Sequence, residues 1–159
     1  MILLTPVLSI ILQACFIPWL IGYTPPVPVK VASVKTISQD YRYQRLNDLR
    51  TKNGEDPLAT NTALVRSANE SAKAIFTGER SWSHDGYEAY VSRHYKNWMW
   101  IGENLCRQFG SYDECFDAWL KSEPHLRNML DSDFKEVGIG NYKDVWVVHF
   151  GLTRPKSKG

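Results

Sequence analysis

The sequence predicts an α+β domain, helical through most of its length and closed by a β-hairpin. Three observations carry that expectation. Apolar residues at helical spacing, Tyr41, Leu46 and Leu49 and then Leu64, Ala68, Ala72 and Ile75, mark two amphipathic helices at the start. Ser111-Tyr112-Asp113-Glu114 is a capping box, in which Ser111 accepts from the third helical amide and Glu114 reaches back. Residues 137–142 and 145–152 are strand-like runs flanking a turn at Lys143-Asp144.

Residues 1–36 stand apart from this domain. No charged side chain precedes Lys30, and Met1 to Tyr23 is apolar apart from Thr5, Ser9 and Gln13. As a helix that run would be about 34 Å long, enough to cross a bilayer core. Residues 1–24 therefore read as a signal anchor or a cleaved signal peptide. The missing basic n-region favours the anchor, whereas Lys30, Lys35 and Arg42 just beyond the run oppose export by charge alone. Leu12-Gln13-Ala14-Cys15 faintly resembles a lipoprotein cleavage box, but apolar residues continue past it. Residues 25–36, with Pro25, Pro26 and Pro28, read as a stiff extended linker. The domain then occupies residues 37–153, and residues 154–159 form a short basic tail.

The domain, at roughly 120 residues, is near the modal size and can bury a core without a metal. Aromatic residues make up 13% of the chain, which argues for a packed fold and against disorder. The formal net charge is +2 with the signs interspersed, so there is no electrostatic case for a nucleic-acid partner.

Taken in order, Ser38 is the expected N-cap of the first helix, which ends at Asn53-Gly54. Asp56-Pro57 turns the chain and Leu58 packs inward. Asn61 caps the second helix and Gly78 closes it. The aromatic-rich stretch from Glu79 to Trp100 lacks a clean period. It reads as a loop through His84, a short helix near Tyr87–His94, and a loop or short strand into Ile101. The capped helix after Ser111 should bury Cys115, Phe116, Trp119 and Leu120. Ser122 or Glu123 should cap the next short helix, with Pro124 in its first turn and His125 following.

Polar residues that could do chemistry gather at Glu103 and Asn104, at His125, and at His84. We expect His84, Glu103 and His125 to converge on one cleft. Two imidazoles and a carboxylate suit zinc with water in a fourth position. They equally suit a structural network in which the carboxylate orients an imidazole. Cys106 and Cys115, nine residues apart, form a disulfide if the chain is exported and are two buried thiols if it is not.

The ordered motifs resemble the CAP superfamily: cysteine-rich secretory proteins, antigen 5 and plant pathogenesis-related proteins, which share the SCP domain. The resemblance covers about Ser38 to Leu152. It is carried by Asn47 and Arg50, Pro57-Leu58, Asn61 and Leu64, Ser83-His84 and Gly102-Glu103-Asn104-Leu105. Trp119, Ser122, His125, Asn128 and Leu130 continue it, and Gly138-Ile139-Gly140 with Phe150-Gly151 complete it. It implies a three-layer α-β-α sandwich whose cleft carries His84, Glu103 and His125, and which in some members binds a divalent metal such as zinc. A fourth cleft position, acidic in many members, is Ser122 here. The resemblance also implies an exported binding or interaction module with a lipid, carbohydrate or protein ligand. A metal-dependent or Ser-His hydrolase of the cell envelope is the alternative.

Overall fold

A computed structural model describes the backbone of residues 34–155 and the side chains of residues 41–155. The apolar segment 1–24, most of the linker and the lysines of the tail lie outside the described residues. No helix among the described residues is long and apolar enough to cross a membrane.

Five helices and four strands follow in the order α1 (Val34–Lys52), β1 (Ala59–Thr60), α2 (Thr62–Thr77), α3 (Tyr87–His94), β2 (Trp98–Arg107), α4 (Tyr112–Leu120), α5 (Glu123–Leu130), β3 (Glu136–Tyr142) and β4 (Val145–Thr153). The strands form one sheet in the order β1-β3-β4-β2. The hairpin β3–β4 is antiparallel, β2 pairs antiparallel with β4, and the two-residue β1 runs parallel to β3.

Alternation along the strands builds three layers. Val137, Ile139, Val148 and Phe150 face a core with Tyr43 and Leu46 of α1, Phe116 and Trp119 of α4, and Met129 of α5. Leu105, Val145 and Val147 face the opposite way, onto Ala68, Ala72 and Ile75 of α2. Leu64, Val91 and Tyr95 extend that second layer to α3. The α2 layer sits very close. A Cβ on Gly138 would lie 2.2 Å from the backbone of Leu64, and one on Gly140 2.3 Å from that of Ala68. Bare glycine backbone is what lets the helix pack at that distance.

Most local signals act as the sequence suggests. Asn61 accepts from the amides of Ala63 and Leu64, and Gly78 closes α2 in the left-handed region at φ 81°. The capping box at Ser111 is complete on both sides. Asn47 exchanges two hydrogen bonds with the backbone of Leu58. Arg50, fully buried, donates to the carbonyls of Asp56, Met129 and Asp131, and so pins α1 to the loop after α5.

Three expectations are corrected. Helix α1 begins at Val34, so Ser38 is inside it and is not its cap, and the last part of the expected linker is helical. The stretch read as a loop or short strand into Ile101 is the start of a ten-residue strand that runs on through Glu103 to Arg107. Buried on both faces from Gly102 to Cys106, it loses the polar–apolar alternation that would have revealed it. Leu120 is partly buried and packs against the core instead of sitting within it.

Candidate functional site

Strand β2 is an edge strand, with β4 its hydrogen-bonded neighbour. On this edge the two helical layers face each other, with the loop before α3 on one side and α5 on the other. Between them lies a cleft of about 540 Å³ lined by His84, Tyr87, Ile101, Gly102, Glu103, Pro124, His125, Arg127 and Asn128. Its floor and walls come from segments far apart in sequence.

Glu103 is the hub. It is 4% exposed and its carboxylate is fully engaged. Arg80 binds it in a two-pronged pair, Nη1 to Oε2 at 2.6 Å and Nη2 to Oε1 at 2.7 Å. His84 Nδ1 donates to Oε1 at 3.0 Å, and His149 Nε2 donates to Oε2 at 3.2 Å. Arg80 is itself buried beyond the end of α2. It donates further to Ser71 Oγ and to the Ser83 carbonyl, the latter at 2.9 Å. His149 is fully buried, directly opposite Glu103 in the β2–β4 register, with Ser67 Oγ 2.8 Å from its Nδ1.

The electrostatics follow from burial and these partners. Burial acts to raise the pKa of Glu103, but the Arg80 guanidinium and His149 outweigh it and hold the carboxyl below its ordinary value. Burial pushes His149 below the usual imidazole value, against the pull of Glu103. A neutral imidazole has one N–H. Given to Glu103, it leaves Nδ1 facing Ser67 Oγ at 2.8 Å, whose hydroxyl also reaches the Leu64 carbonyl at 2.9 Å. Tyr87 is pushed up to about 12, first by burial and then by Glu88 and Glu103, so its phenol stays protonated and donates to the Ile101 carbonyl at 2.9 Å.

The four site residues expected from the sequence do come together, in two pairs. His84 touches Glu103, and because an ionised carboxylate only accepts, the His84 proton sits on Nδ1 and Nε2 is left for the cleft. Ser122 Oγ lies 2.8 Å from His125 Nδ1. Across the cleft the two imidazoles face each other with ring centroids 6.2 Å apart. Burial and the neighbouring His84 both lower the pKa of His125. Ser122 corrects an expectation: it occupies the N-cap position of α5, but its side chain makes no capping bond and turns to His125. Glu123 points away to solvent, paired with Arg127 at 2.6 Å.

Asn104 ties α5 to the sheet. Its Nδ2 donates to the His125 carbonyl at 3.1 Å, and its Oδ1 accepts from Asn128 at 3.0 Å. Asn128 also donates to the Glu103 carbonyl at 3.1 Å. These three bonds set where His125 stands. Cys106 and Cys115 are joined as a disulfide with Cα atoms 5.7 Å apart, which ties the end of β2 to α4.

The residues present do not fit a metal held by His84, Glu103 and His125. The carboxylate oxygens already serve a guanidinium, so a divalent ion would meet a fixed cation where it needs a free anionic ligand. Among the described residues no group of three or more His, Cys, Asp and Glu is arranged to hold one.

Sequence reasoning missed Arg80, His149, Ser67 and Ser71. A histidine in an otherwise apolar β4 run was the one available signal, and it gains meaning only once β2 and β4 are known to pair.

Comparison with known proteins agrees with this architecture. The family model for CAP, the cysteine-rich secretory protein family, matches residues 43–150. Among solved structures, an extracellular SCP-domain protein from Bacillus anthracis matches with a TM-score of 0.69 and 21% identity, over 82% of this chain and 45% of that one. An outer surface protein of Borrelia burgdorferi gives 0.67 and 19%, over 78% of this chain and 97% of that one. A cysteine-rich secretory protein from Staphylococcus aureus gives 0.65 and 19%, over 78% and 40%. The chain thus spans less than half the length of the Bacillus and Staphylococcus proteins, and at these identities the likeness speaks for the fold. No curated protein matches the sequence.

Proposed function

The chain belongs to the CAP family of cysteine-rich secretory proteins, and we propose that this member is an extracytoplasmic binding module whose ligand seat is the His84–His125 cleft. The observation that carries the reading is the state of Glu103. Its charge and both its oxygens are committed to Arg80, His84 and His149, so it holds the cleft in shape and is not a free base or metal ligand. What remains open to a ligand is a pair of imidazoles, the Tyr87 ring and the Oδ1 acceptor of Asn128, around a volume of about 540 Å³. That size falls within the range of about 300–1,000 Å³ typical of small-ligand sites.

The extracytoplasmic placement is supported by the Cys106–Cys115 disulfide, a bond that persists in oxidising compartments. It is supported also by the extracellular and outer-surface descriptions of the Bacillus and Borrelia proteins. Residues 1–24 would then tether the domain to a membrane and residues 25–33 space it away.

The test uses purified protein, wild type and His84→Ala, His125→Ala and the double variant. Zinc content is measured, and binding of palmitate, phosphatidylglycerol vesicles and N-acetylglucosamine oligomers is followed by amide NMR. A ligand of the proposed kind shifts residues 84, 87, 101–103 and 124–128 and is lost from the double variant. If the double variant bound everything that wild type binds, the cleft would not be the seat. A reporter fused to the C-terminus and found active only in the cytoplasm would overturn the placement.

One observation favours a second reading. Ser122 places its hydroxyl 2.8 Å from His125 Nδ1 instead of capping α5, and the lowered pKa of His125 keeps that imidazole neutral at pH 7. In a hydrolase His125 would take the Ser122 proton as the hydroxyl attacks an acyl carbon. Burst kinetics with p-nitrophenyl acetate, abolished by Ser122→Ala, would establish this reading, and equal rates in the two proteins would remove it.

A further inference from the structure

The cleft continues beyond the two imidazoles. A second hollow of about 280 Å³ shares His84 and His125 with the first and runs on past Trp82 to Leu105. A third, of about 360 Å³, shares Trp82 with the second and is otherwise lined by Arg107 and Gln108. The hollows follow one strand. Ile101, Gly102 and Glu103 border the first, Leu105 the second and Arg107 the third, so the hollows succeed one another along the edge of β2. From Ile101 to Arg107, six steps along the strand at about 3.3 Å each, the groove is about 20 Å long. A site of that length and lining suits an extended chain better than a single compact molecule.

The lining points to the chemistry of that chain. Trp82 is 49% exposed, an open indole face at the waist of the groove. Flat apolar CH faces stack on such a surface, while the rest of the wall offers hydrogen-bonding groups: imidazoles, the Asn128 Oδ1, the Gln108 amide and the Arg107 guanidinium. A sugar ring has both features, a CH face and a rim of hydroxyls. An acyl chain has no use for the polar wall and would strip water from it at a cost. The far end is also pre-shaped. Gln108 is held in the left-handed region at φ 69°, uncommon for a residue with a side chain, in the loop that the Cys106–Cys115 disulfide closes.

We infer that the groove along β2 binds an extended glycan, with Trp82 as stacking platform and Arg107 and Gln108 as a far subsite. This rests on the cleft reading above and names its ligand class. The test is calorimetric titration of the full chain with N-acetylglucosamine hexamer, cellohexaose and the corresponding monosaccharides. At least one hexamer should bind, at least tenfold more tightly than its monomer. Trp82→Ala should weaken it about tenfold. Gln108→Gly, which relaxes the backbone while deleting the amide, should weaken hexamer binding and leave monomer binding unchanged. Both positions are at the surface, and unchanged thermal melting would confirm that the variants fold. Failure of both hexamers to bind at millimolar concentration would overturn the inference. So would hexamer binding that ignores Trp82→Ala and Gln108→Gly. Palmitate or vesicle binding lost in the His84/His125 double variant would, in either case, leave the cleft reading standing. A wild type that bound neither hexamer, nor palmitate, nor vesicles would take the two readings down together.

Discussion

Replacing Arg80 by Met tests the central claim about Glu103. The side chains of Arg80 and Glu103 are 4% and 1% exposed. Removing one partner of such a buried pair leaves an uncompensated charge, at a cost of about 3–5 kcal/mol. For a domain of this size that corresponds to a fall in Tm of about 12–20 °C. The exposed pair Arg127–Glu123, at 73% and 83%, is the internal control: Arg127→Ala should cost no more than about 0.5 kcal/mol. The pH dependence sharpens the test. In the wild type the folded pKa of Glu103 is depressed, so its stabilising contribution is present above the unfolded value of about 4.3 and is lost as pH falls through the folded one. With Arg80 gone, burial faces less opposition and the folded carboxyl titrates higher. The penalty then grows above about pH 4.3 and vanishes below it. Urea unfolding followed by tryptophan fluorescence should therefore show a large gap between Arg80→Met and wild type at pH 7 and a smaller one at pH 4.5. Arg80→Met/Glu103→Leu should recover much of the loss, since no charge is left stranded. A cost below about 1 kcal/mol at pH 7, or a gap independent of pH, would refute the description of Glu103 as a buried, charged hub.

Two further predictions concern its neighbours. His149 is fully buried with a pKa below the usual imidazole value, so below about pH 6.5 the unfolded chain takes up a proton that the folded one does not, and stability falls with pH. His149→Gln keeps a donor for Glu103 but cannot titrate, and should flatten the unfolding free energy between about pH 6.5 and 5; an unchanged slope would assign the effect elsewhere. Gly138→Ala would drive a Cβ to within 2.2 Å of the Leu64 backbone, where no side chain can yield. It should cost about 3 kcal/mol or prevent folding, and a near-native melting curve would show that α2 has room to move off the sheet.

The sequence disclosed elements whose signals are local. Asn61, Gly78 and the Ser111 box each announce a helix end through a bond made within a few residues, and the Tyr87–His94 helix and the final hairpin lie where their patterns put them. Strand β2 was legible only as a loop or short strand into Ile101, because both its faces are covered from Gly102 to Cys106, and β1 was hidden because two residues carry no period. The site divides the same way. His84, Glu103, His125 and Ser122 were legible as polar residues in a recognisable order. Arg80 and His149 were not, because nothing near them in sequence says that they meet Glu103. Ser122 shows the opposite failure: its local signal for a cap is genuine, and a hydrogen bond to His125 overrides it.

The pairing of Glu103 with His149 across β2 and β4 has a consequence for assembly of the sheet. The strands are apolar on both faces for much of their length, and such strands have little to tell one alignment from the next. Were β2 to dock one residue out of step, Glu103 would turn to the opposite face, into the core of Phe116 and Trp119, away from Arg80 and His149. A misaligned chain would have to bury a naked carboxylate among aromatic rings. The same residue that shapes the cleft in the finished molecule thus proofreads the edge strand while the molecule is being made.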